Sequence, residues 1–348
     1  MTGKTSLFTI LTGVHETART GSMETRVGVT KVPDARLKAL AKVFSPEKVT
    51  HATIEFIDFP SISKESLRDP SYLASLRVAD AMAHVVRLFQ SDLVPHEKGS
   101  VDPARDIGDV DTELVLSDLA VVEKRLERLE KDRKKIKDPG LDREYDLLLQ
   151  AKAMLENGEP LRGWALEGED EKRLRGFQFL SQKPILFVLN VGENEAGSMR
   201  QIEEDFRRRL VKEGNRCEVT AVCGKIEAEL AELEPDEQRE YLASYGLPGS
   251  SLDRLVGAMY RLLGLMSFLT AGETEVRAWT VPVNSTALKA AGAIHTDFEK
   301  KFIRAEVVPW QALVEHGGYA GVREKGLLRL EGRDYIVKDG DVLVIRHG

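Results

Sequence analysis

The sequence predicts an α/β fold: a doubly wound domain with a parallel sheet, interrupted by an antiparallel helical hairpin and followed by a small α+β module. Three observations predict it. Short apolar runs rich in β-branched residues alternate with helical stretches, as buried parallel strands do. Between two of those runs lies a heavily charged segment whose apolar residues repeat at helical spacing. After about residue 268 the texture changes to strands around one helical stretch, and this last part is near the lower end of domain size at about 80 residues.

The first element is a helix. In "MTGKTSLFTILTG" the residues Gly3, Lys4, Thr5 and Ser6 precede an apolar run, and G-K-[ST] before a helix is the tail of a phosphate-binding loop. In such a loop the lysine reaches the β- and γ-phosphates, the hydroxyl ligates Mg²⁺, and backbone amides wrap the anion at the helix N-terminus. The alternative for so short a match is an ordinary helix N-cap. A full loop reads G-x-x-x-x-G-K-[ST] and follows a strand, both of which would lie ahead of Met1. The expectation is a chain that starts late, because a parallel sheet lacking its first, central strand leaves its neighbours unpaired.

The strands come next. "RVGVTKV" is the weakest. "TIEFIDF" (53–59) is apolar and carries Asp58 at its end, where an NTPase keeps its second Mg²⁺-directed carboxylate. "AHVVRLF" (83–89) follows. "PILFVLNV" (184–191) leads into Asn190-Val191-Gly192-Glu193, the layout of a base-reading N-K-x-D element without its lysine and aspartate, so guanine selection should be weak. "CEVTAVCG" (217–224) closes the set. A ligand would sit at the carboxyl ends of these strands. For Asp58 and Asn190 the alternative role is capping the next helix.

In the charged segment, Val115, Leu119, Val122, Leu126 and Leu129 step by four and three and share one helical stripe. Pro139 and Gly140 read as the stop of that helix, and Leu141, Tyr145, Leu148 and Leu155 line a second one. The outer face, "EKRLERLEKDRKKIKD", reads as solvated, with partner binding as the alternative. In the last module "EVRAWTVPV" and "RAEVVPW" are expected strands around a helical "STALKAAGAIHTDFEKKF". In "YIVKDGDVLVIRHG", Asp339-Gly340 is a hairpin signal between two apolar strands.

Composition narrows the function. A formal charge of -7 argues against a chain that coats nucleic acid by bulk electrostatics, and no DNA sequence recognition is expected. No uncharged apolar run is long enough to span a bilayer, so no membrane partner is expected. Two cysteines, Cys217 and Cys223, build no disulfide framework, and a reducing cytoplasm is the expected compartment. Cys223, His84 and His295 read as packing residues rather than redox or catalytic groups.

The motif order, together with "VPDARLKALAKVFSPEKVTHATIEFIDF", "VDPARDIGDVDTELVLSDL", "FLTAGETEVRAWTV", "AIHTDFEKKFIRAEV" and "LEGRDYIVKDGDV", resembles the Obg-like ATPase family, YchF subfamily, almost end to end. The resemblance implies a P-loop NTPase domain of the Ras/Obg-like type (1–110 and 176–267), an inserted helical domain (111–175) and a C-terminal β-grasp TGS domain (268–348). It implies a cytoplasmic NTPase that prefers ATP to GTP, uses Mg²⁺, hydrolyses slowly, and has the ribosome or RNA as partner. Carried over by position, Gly3, Lys4, Thr5 and Ser6 fall on the end of the P-loop, Ser22 on the switch I threonine and Asp58 on the Walker B aspartate. Asn190, Val191 and Glu193 fall on the adenine-reading element. Val222, Cys223 and Gly224 fall on the loop that closes over the base.

The departures lie in switch II. The family's D-x-A-G appears as Asp58-Phe59-Pro60-Ser61, where Pro60 removes a donor and stiffens the approach. The glycine-rich stretch after it becomes "SISKESLRDPSYLASLR", and Ile62 stands near the place of a water-orienting glutamine. With no replacement base, turnover should be slow. The alternative is a non-hydrolysing relative that contacts RNA or the ribosome, with Lys289, Lys300, Lys301 and Arg304 as a basic face of the last module.

Overall fold

The computed structural model describes residues 2–14 and 25–348. In chain order the strands are β1 (Arg26–Lys31), β2 (Lys48–Thr50), β3 (Thr53–Asp58), β4 (Met82–Arg87), β5 (Ile185–Asn190), β6 (Cys217–Val222), β7 (Leu265–Ala271), β8 (Glu275–Pro282), β9 (Phe302–Pro309), β10 (Arg329–Glu331) and β11 (Asp341–His347). The helices are α1 (Lys4–Thr12), α2 (Ala35–Phe44), α3 (Pro70–Val78), α4 (Pro103–Arg133), α5 (Pro139–Glu156), α6 (Gly168–Leu174), α7 (Met199–Leu210), α8 (Gly224–Leu230), α9 (Pro235–Ser244), α10 (Ser251–Leu262), α11 (Ala287–Ile294), α12 (Thr296–Lys300), α13 (Trp310–Glu315) and α14 (Tyr319–Glu324). Two compact units result: Met1–Gly28 with Phe56–Ala258, and Val29–Glu55 with Met259–Gly348. Among the described residues no helix is long and apolar enough to cross a membrane.

In the first unit β4, β5 and β6 pair in parallel, with Met82 opposite Ile185 and Ile185 opposite Cys217. Every residue of β5 is buried, which is why its sequence is a continuous apolar run. β1 and β3 pair with each other in a separate two-stranded sheet. The five runs expected in one sheet therefore fall into two. Among the described residues β3 and β4 each have one paired edge, and Phe56, Ile57, His84 and Val85 on them are half-buried where β5 is not exposed at all. The core under this sheet gathers Val86, Ile185, Phe187, Leu189, Val219 and Ala221 with Ile107 and Leu114 of α4. His84 packs its ring against Phe187. Its Nδ1 is buried without a hydrogen-bond partner, unlike a satisfied packing histidine, and burial lowers its pKa to about 4, so it is neutral at physiological pH.

The hairpin follows the apolar stripes. Val115, Val122, Leu126 and Leu129 of α4 pack with Leu147, Leu148, Ala151 and Leu155 of α5, and Leu119, Leu141 and Tyr145 lie at the margin of the same cluster. Pro139 does not stop the first helix. α4 ends at Arg133, and Pro139 opens α5, where Asp138 accepts the Gly140 N–H at 2.7 Å. Proline's fixed φ and missing N–H suit the first helical turn, which is why the Pro-Gly pair begins a helix here. At the root of the hairpin Asp118 is fully buried and accepts the N–H groups of Leu180 (2.9 Å) and Ser181 (2.7 Å). This pins α4 to the segment that leads into β5.

In the second unit the sheet order is β10-β9-β11-β7-β8-β2. β2, from the chain's early part, adds parallel to β8 and brings α2 onto β8 and α13. α11 buries Ala287, Ala290 and Ala291 with Phe268, Val281 and Val307. Two expectations change here. The single helical stretch breaks at His295, which is exposed and accepts the Asp297 N–H at 3.1 Å as the cap of α12. Asp339-Gly340 joins no hairpin: the 335–337 segment contributes only an isolated bridge from Ile336 to Thr286, and β11 pairs instead with β9 and β7. Gly340 has φ 84°, and a Cβ there would lie 2.8 Å from the Trp310 ring, so close packing set this glycine.

Replacing Asp118 by Ala leaves two buried N–H groups without an acceptor, which should lower the stability of the first unit by about 2–4 kcal/mol. Asp118→Asn, which keeps one acceptor, should lose less. The urea midpoint followed by circular dichroism checks this, and an unchanged Asp118→Ala midpoint would refute the pinning role.

Candidate functional site

α1 begins at Gly3, whose αL conformation (φ 85°, ψ 7°) turns the chain into the helix. A Cβ at Gly3 would stand 2.5 Å from Asn190 Nδ2, so only glycine fits both the conformation and the space. Lys4 and Thr5 follow on the first turn, and Ser6 is exposed. Asp58, the last residue of β3, is 8% exposed. Lys4 Nζ donates to Asp58 Oδ1 at 2.7 Å and also to the Phe59 carbonyl, and Thr5 Oγ1 lies 3.5 Å from Asp58 Oδ2. The structure thus gathers the expected lysine, hydroxyl and carboxylate at one point.

Arg26 was not anticipated. From β1 it pairs with Asp58 Oδ2 and lays its guanidinium over Phe8, 5.2 Å from the ring centroid. Its Nη1 is buried with no partner. No pattern in the sequence points to it, since a charged residue beginning a weak strand is ordinary.

Asn190 closes the other side. It is 4% exposed; its Nδ2 donates to the Thr2 carbonyl at 2.9 Å, and its Oδ1 accepts the Gly224 N–H at 3.0 Å. Both ends of the amide are therefore engaged with backbone. Val191, Val222 and Cys223 are buried behind it, and the Val191 N–H donates to the Val222 carbonyl at 2.9 Å. Burial raises the Cys223 thiol pKa, in keeping with a packing role. Half-buried Glu193 follows, accepting a hydrogen bond from Lys225 that raises the lysine's pKa, with Tyr245 OH 3.5 Å away. Sequence reasoning missed Lys225 and Tyr245, which only the fold brings to Glu193. It also missed Arg87, which ends β4 and is 1% exposed. Arg87 donates to the carbonyls of Phe89 (3.0 Å) and Val94 (2.7 Å), holding the loop beside Asn190. The available signal was a charge closing an apolar strand.

Past Asp58 the chain is tied down. Tyr72 OH donates to the Pro60 carbonyl at 3.1 Å, and its ring meets Phe59 edge-on at 5.8 Å. Ser66 Oγ donates to the carbonyls of Ser61 (3.1 Å) and Ser63 (2.9 Å) and accepts the Ser63 N–H (2.8 Å). Ile62 packs against the core. Ser22 lies outside the described residues. As a donor set, one hydroxyl and one carboxylate suit Mg²⁺, which keeps several waters and takes its other ligands from phosphate oxygens. Among the described residues no group of three or more His, Cys, Asp or Glu offers a protein cage.

Residues 265–348 match the YchF-GTPase C-terminal family, described as a protein of unknown function (DUF933). The chain is 41% identical over 351 residues to the ribosome-binding ATPase YchF of Haemophilus ducreyi, covering 99% of this chain and 96% of that protein. It is 40% identical to the protein of the same name from Bacillus subtilis, with coverages of 99% and 96%. The solved structure of the Schizosaccharomyces pombe YchF GTPase superposes with a TM-score of 0.84 at 24% identity, covering 99% of this chain and 94% of that one, a likeness of fold. With relatives at this identity matched across nearly the whole length, the chain belongs to the YchF family.

Proposed function

We propose that this chain is a nucleotide-binding protein that takes ATP in preference to GTP, with Mg²⁺, and that it associates with ribosomes in the cytoplasm. The observation that carries the proposal is the convergence of Lys4, Thr5 and Asp58 on the turn that Asn190 holds at Gly3. The relatives described as ribosome-binding ATPases support the partner and the nucleotide.

In this reading the N–H groups of Gly3, Lys4, Thr5 and Ser6 face the phosphates at the start of α1, where the helix dipole favours an anion. Lys4 moves from Asp58 to the phosphates. Thr5 and Asp58 hold the metal, with Ser22 as a further ligand from switch I. Bound Mg²⁺ would neutralise charge on the phosphate oxygens. Asn190 acts as a strap between Thr2 and Gly224. Glu193 is then the residue left to accept the adenine amino group, flanked by the backbone of Val191, Val222, Cys223 and Gly224. Hydrolysis should be slow, because Ile62 stands near the place of a water-orienting residue and the serine and tyrosine bonds of the segment resist reorganisation. Those same bonds favour a second reading, a relative that binds nucleotide without turning it over.

Calorimetric titration of ATP and GTP, with Mg²⁺, into this chain and into a version extended upstream by a strand and the front of the loop, so that Gly3, Lys4 and Thr5 end a full G-x-x-x-x-G-K-T, tests the site. ATP should bind the extended version more tightly than GTP, and saturation at about a hundred times Kd should stabilise it by about 2.7 kcal/mol. Failure of both nucleotides to bind either version would overturn the proposal. Glu193→Ala in the extended version should erase the ATP preference, a loss of roughly tenfold to a hundredfold for one hydrogen bond to a charged group. Retained preference would move base reading elsewhere. Buried and with raised pKa, Cys217 and Cys223 should react slowly with a thiol reagent at pH 8 and promptly in denaturant. Fast native labelling of Cys223 would contradict the packing role.

A further inference from the structure

Asp58 is the carboxylate that the function proposed above assigns to Mg²⁺, and in this chain cations already stand on both of its oxygens. Lys4 Nζ donates to Oδ1 at 2.7 Å, and the Arg26 guanidinium donates to Oδ2 through Nη2. The Thr5 hydroxyl, the other metal ligand of that reading, lies 3.5 Å from the same Oδ2. The two cations differ in what else they can do. Lys4 opens α1 and in that reading moves to the phosphates. Arg26 reaches Asp58 from β1, the strand that pairs with β3, and stands on the oxygen that Thr5 also faces.

The contact is firm but incomplete. Phe8 of α1, itself buried, lies under the guanidinium with its ring centroid 5.2 Å away, which adds a cation–π attraction. A guanidinium carries five N–H donors, yet Arg26 Nη1 is buried with no partner. The pair therefore compensates a buried carboxylate without satisfying the arginine, and an unpartnered buried donor costs free energy. The Arg26 side chain keeps 21% of its surface exposed, so it has a way to solvent. Displaced from Asp58, it would recover water for the donor it now leaves unmade. Such a cation is held well enough to compete for Asp58 and loosely enough to yield it.

We propose that Arg26 is a resident counter-cation of the metal site, one that occupies Asp58 until Mg²⁺ and nucleotide displace it together and so limits how far nucleotide binding depends on the metal. The inference rests on the reading of Lys4, Thr5 and Asp58 given above and adds the residue that regulates them. Two effects act in the same direction. With metal present, loading the site breaks the Arg26–Asp58 pair, which weakens binding of the metal-bound nucleotide. Without metal, Arg26 stays on Asp58, so bare phosphates do not meet an uncompensated carboxylate. A neutral residue at position 26 reverses both. The factor by which Mg²⁺ tightens nucleotide binding measures the coupling between the two ligands, and Arg26 lowers that factor. An ion pair that merely joins β1 to β3 would stabilise the fold and leave the factor unchanged.

The test uses the full chain extended upstream as above, titrated calorimetrically with ATP in Mg²⁺ and again with ATP in EDTA. The quantity read is the ratio of the two affinities, which needs no turnover. Arg26→Gln removes the charge, Arg26→Lys keeps it, and Phe8→Leu removes the ring under the guanidinium while leaving the ion pair's own residues in place. Circular dichroism checks each fold. The ratio should rise at least about tenfold in Arg26→Gln, the size of one hydrogen bond between charged groups, and stay close to the parent's in Arg26→Lys. In Phe8→Leu it should rise about twofold to fivefold, the size of a cation–π contact. Where Arg26→Gln folds, it decides; where it does not, Phe8→Leu decides. An unchanged ratio in the deciding variant, or an equal rise in Arg26→Lys, would overturn the inference. A lower ratio in Arg26→Gln would make Arg26 a ligand of the metal-bound phosphates and overturn it as well. In each of these cases ATP still binds, so the nucleotide reading stands while the inference falls. No ATP binding by the parent in either buffer would overturn the nucleotide reading and the inference together.

Discussion

The site depends on the side-chain amide of Asn190. Its two polar ends tie the Thr2 carbonyl, just before the turn at Gly3, to the Gly224 N–H that opens α8. Because Asn190 is the final residue of a strand buried along its whole length, the amide has little freedom, and the rigidity of the sheet passes directly to the start of α1. The glycine is the counterpart of that constraint: any side chain at Gly3 would occupy the space of the amide nitrogen. An aspartate at position 190 would replace the donor to Thr2 with a second acceptor, setting two oxygens against each other.

Asp58 is the second constraint. A carboxylate this buried requires compensation, and it has three claimants in Lys4, Arg26 and the Thr5 hydroxyl. These contacts balance its charge within the protein, so engagement of a metal has to compete with at least one cation. The cost of that exchange is electrostatic and local, because the segment beyond Asp58 is held separately by Tyr72 and Ser66. A loop stiffened by Pro60 and a serine net transmits little of the change. The chemistry at Asp58 and the conformation after it are therefore less coupled than in a switch whose glycine is free to reorganise.

Legibility in the sequence followed from how each feature is encoded. Continuous apolar runs gave β5 and β6, because a strand buried on both faces writes burial into nearly every position, while β4, with Ala83 exposed, was legible from its shorter β-branched run. The stripe of Val115, Val122, Leu126 and Leu129 gave the hairpin for the same reason at helical period. Lys4, Thr5, Asp58 and Asn190 were legible as motif ends, and the structure brings them to one place. What was not legible depends on pairing across the chain. Pro139 can end one helix or begin the next, and only the Asp138 cap decides it. Asp339-Gly340 carries a hairpin signal, but β11 finds better partners in β9 and β7. Arg26, Arg87 and Lys225 are ordinary charges until the fold supplies Asp58, a loop carbonyl and Glu193.

The two halves of the first unit handle charge in opposite ways, and this separates their roles. Around Asp58 and Asn190, polar groups are buried and matched to specific partners within the chain. Along the hairpin the acidic and basic residues that face α5 cancel in pairs, while a line of cations from Lys124 to Lys135 is left to solvent. Exposed pairs contribute little stability, so fold stability did not require that line to be basic; the packing of Val122, Leu126 and Leu129 against α5 already holds the helices together. Helix propensity does not account for it either, since glutamate or glutamine would serve α4 as well. Lys131 stands in the last turn of α4, where the helix dipole favours a cation, and Glu127 lies four residues before it on the exposed face, so part of that charge is accounted for within the helix itself.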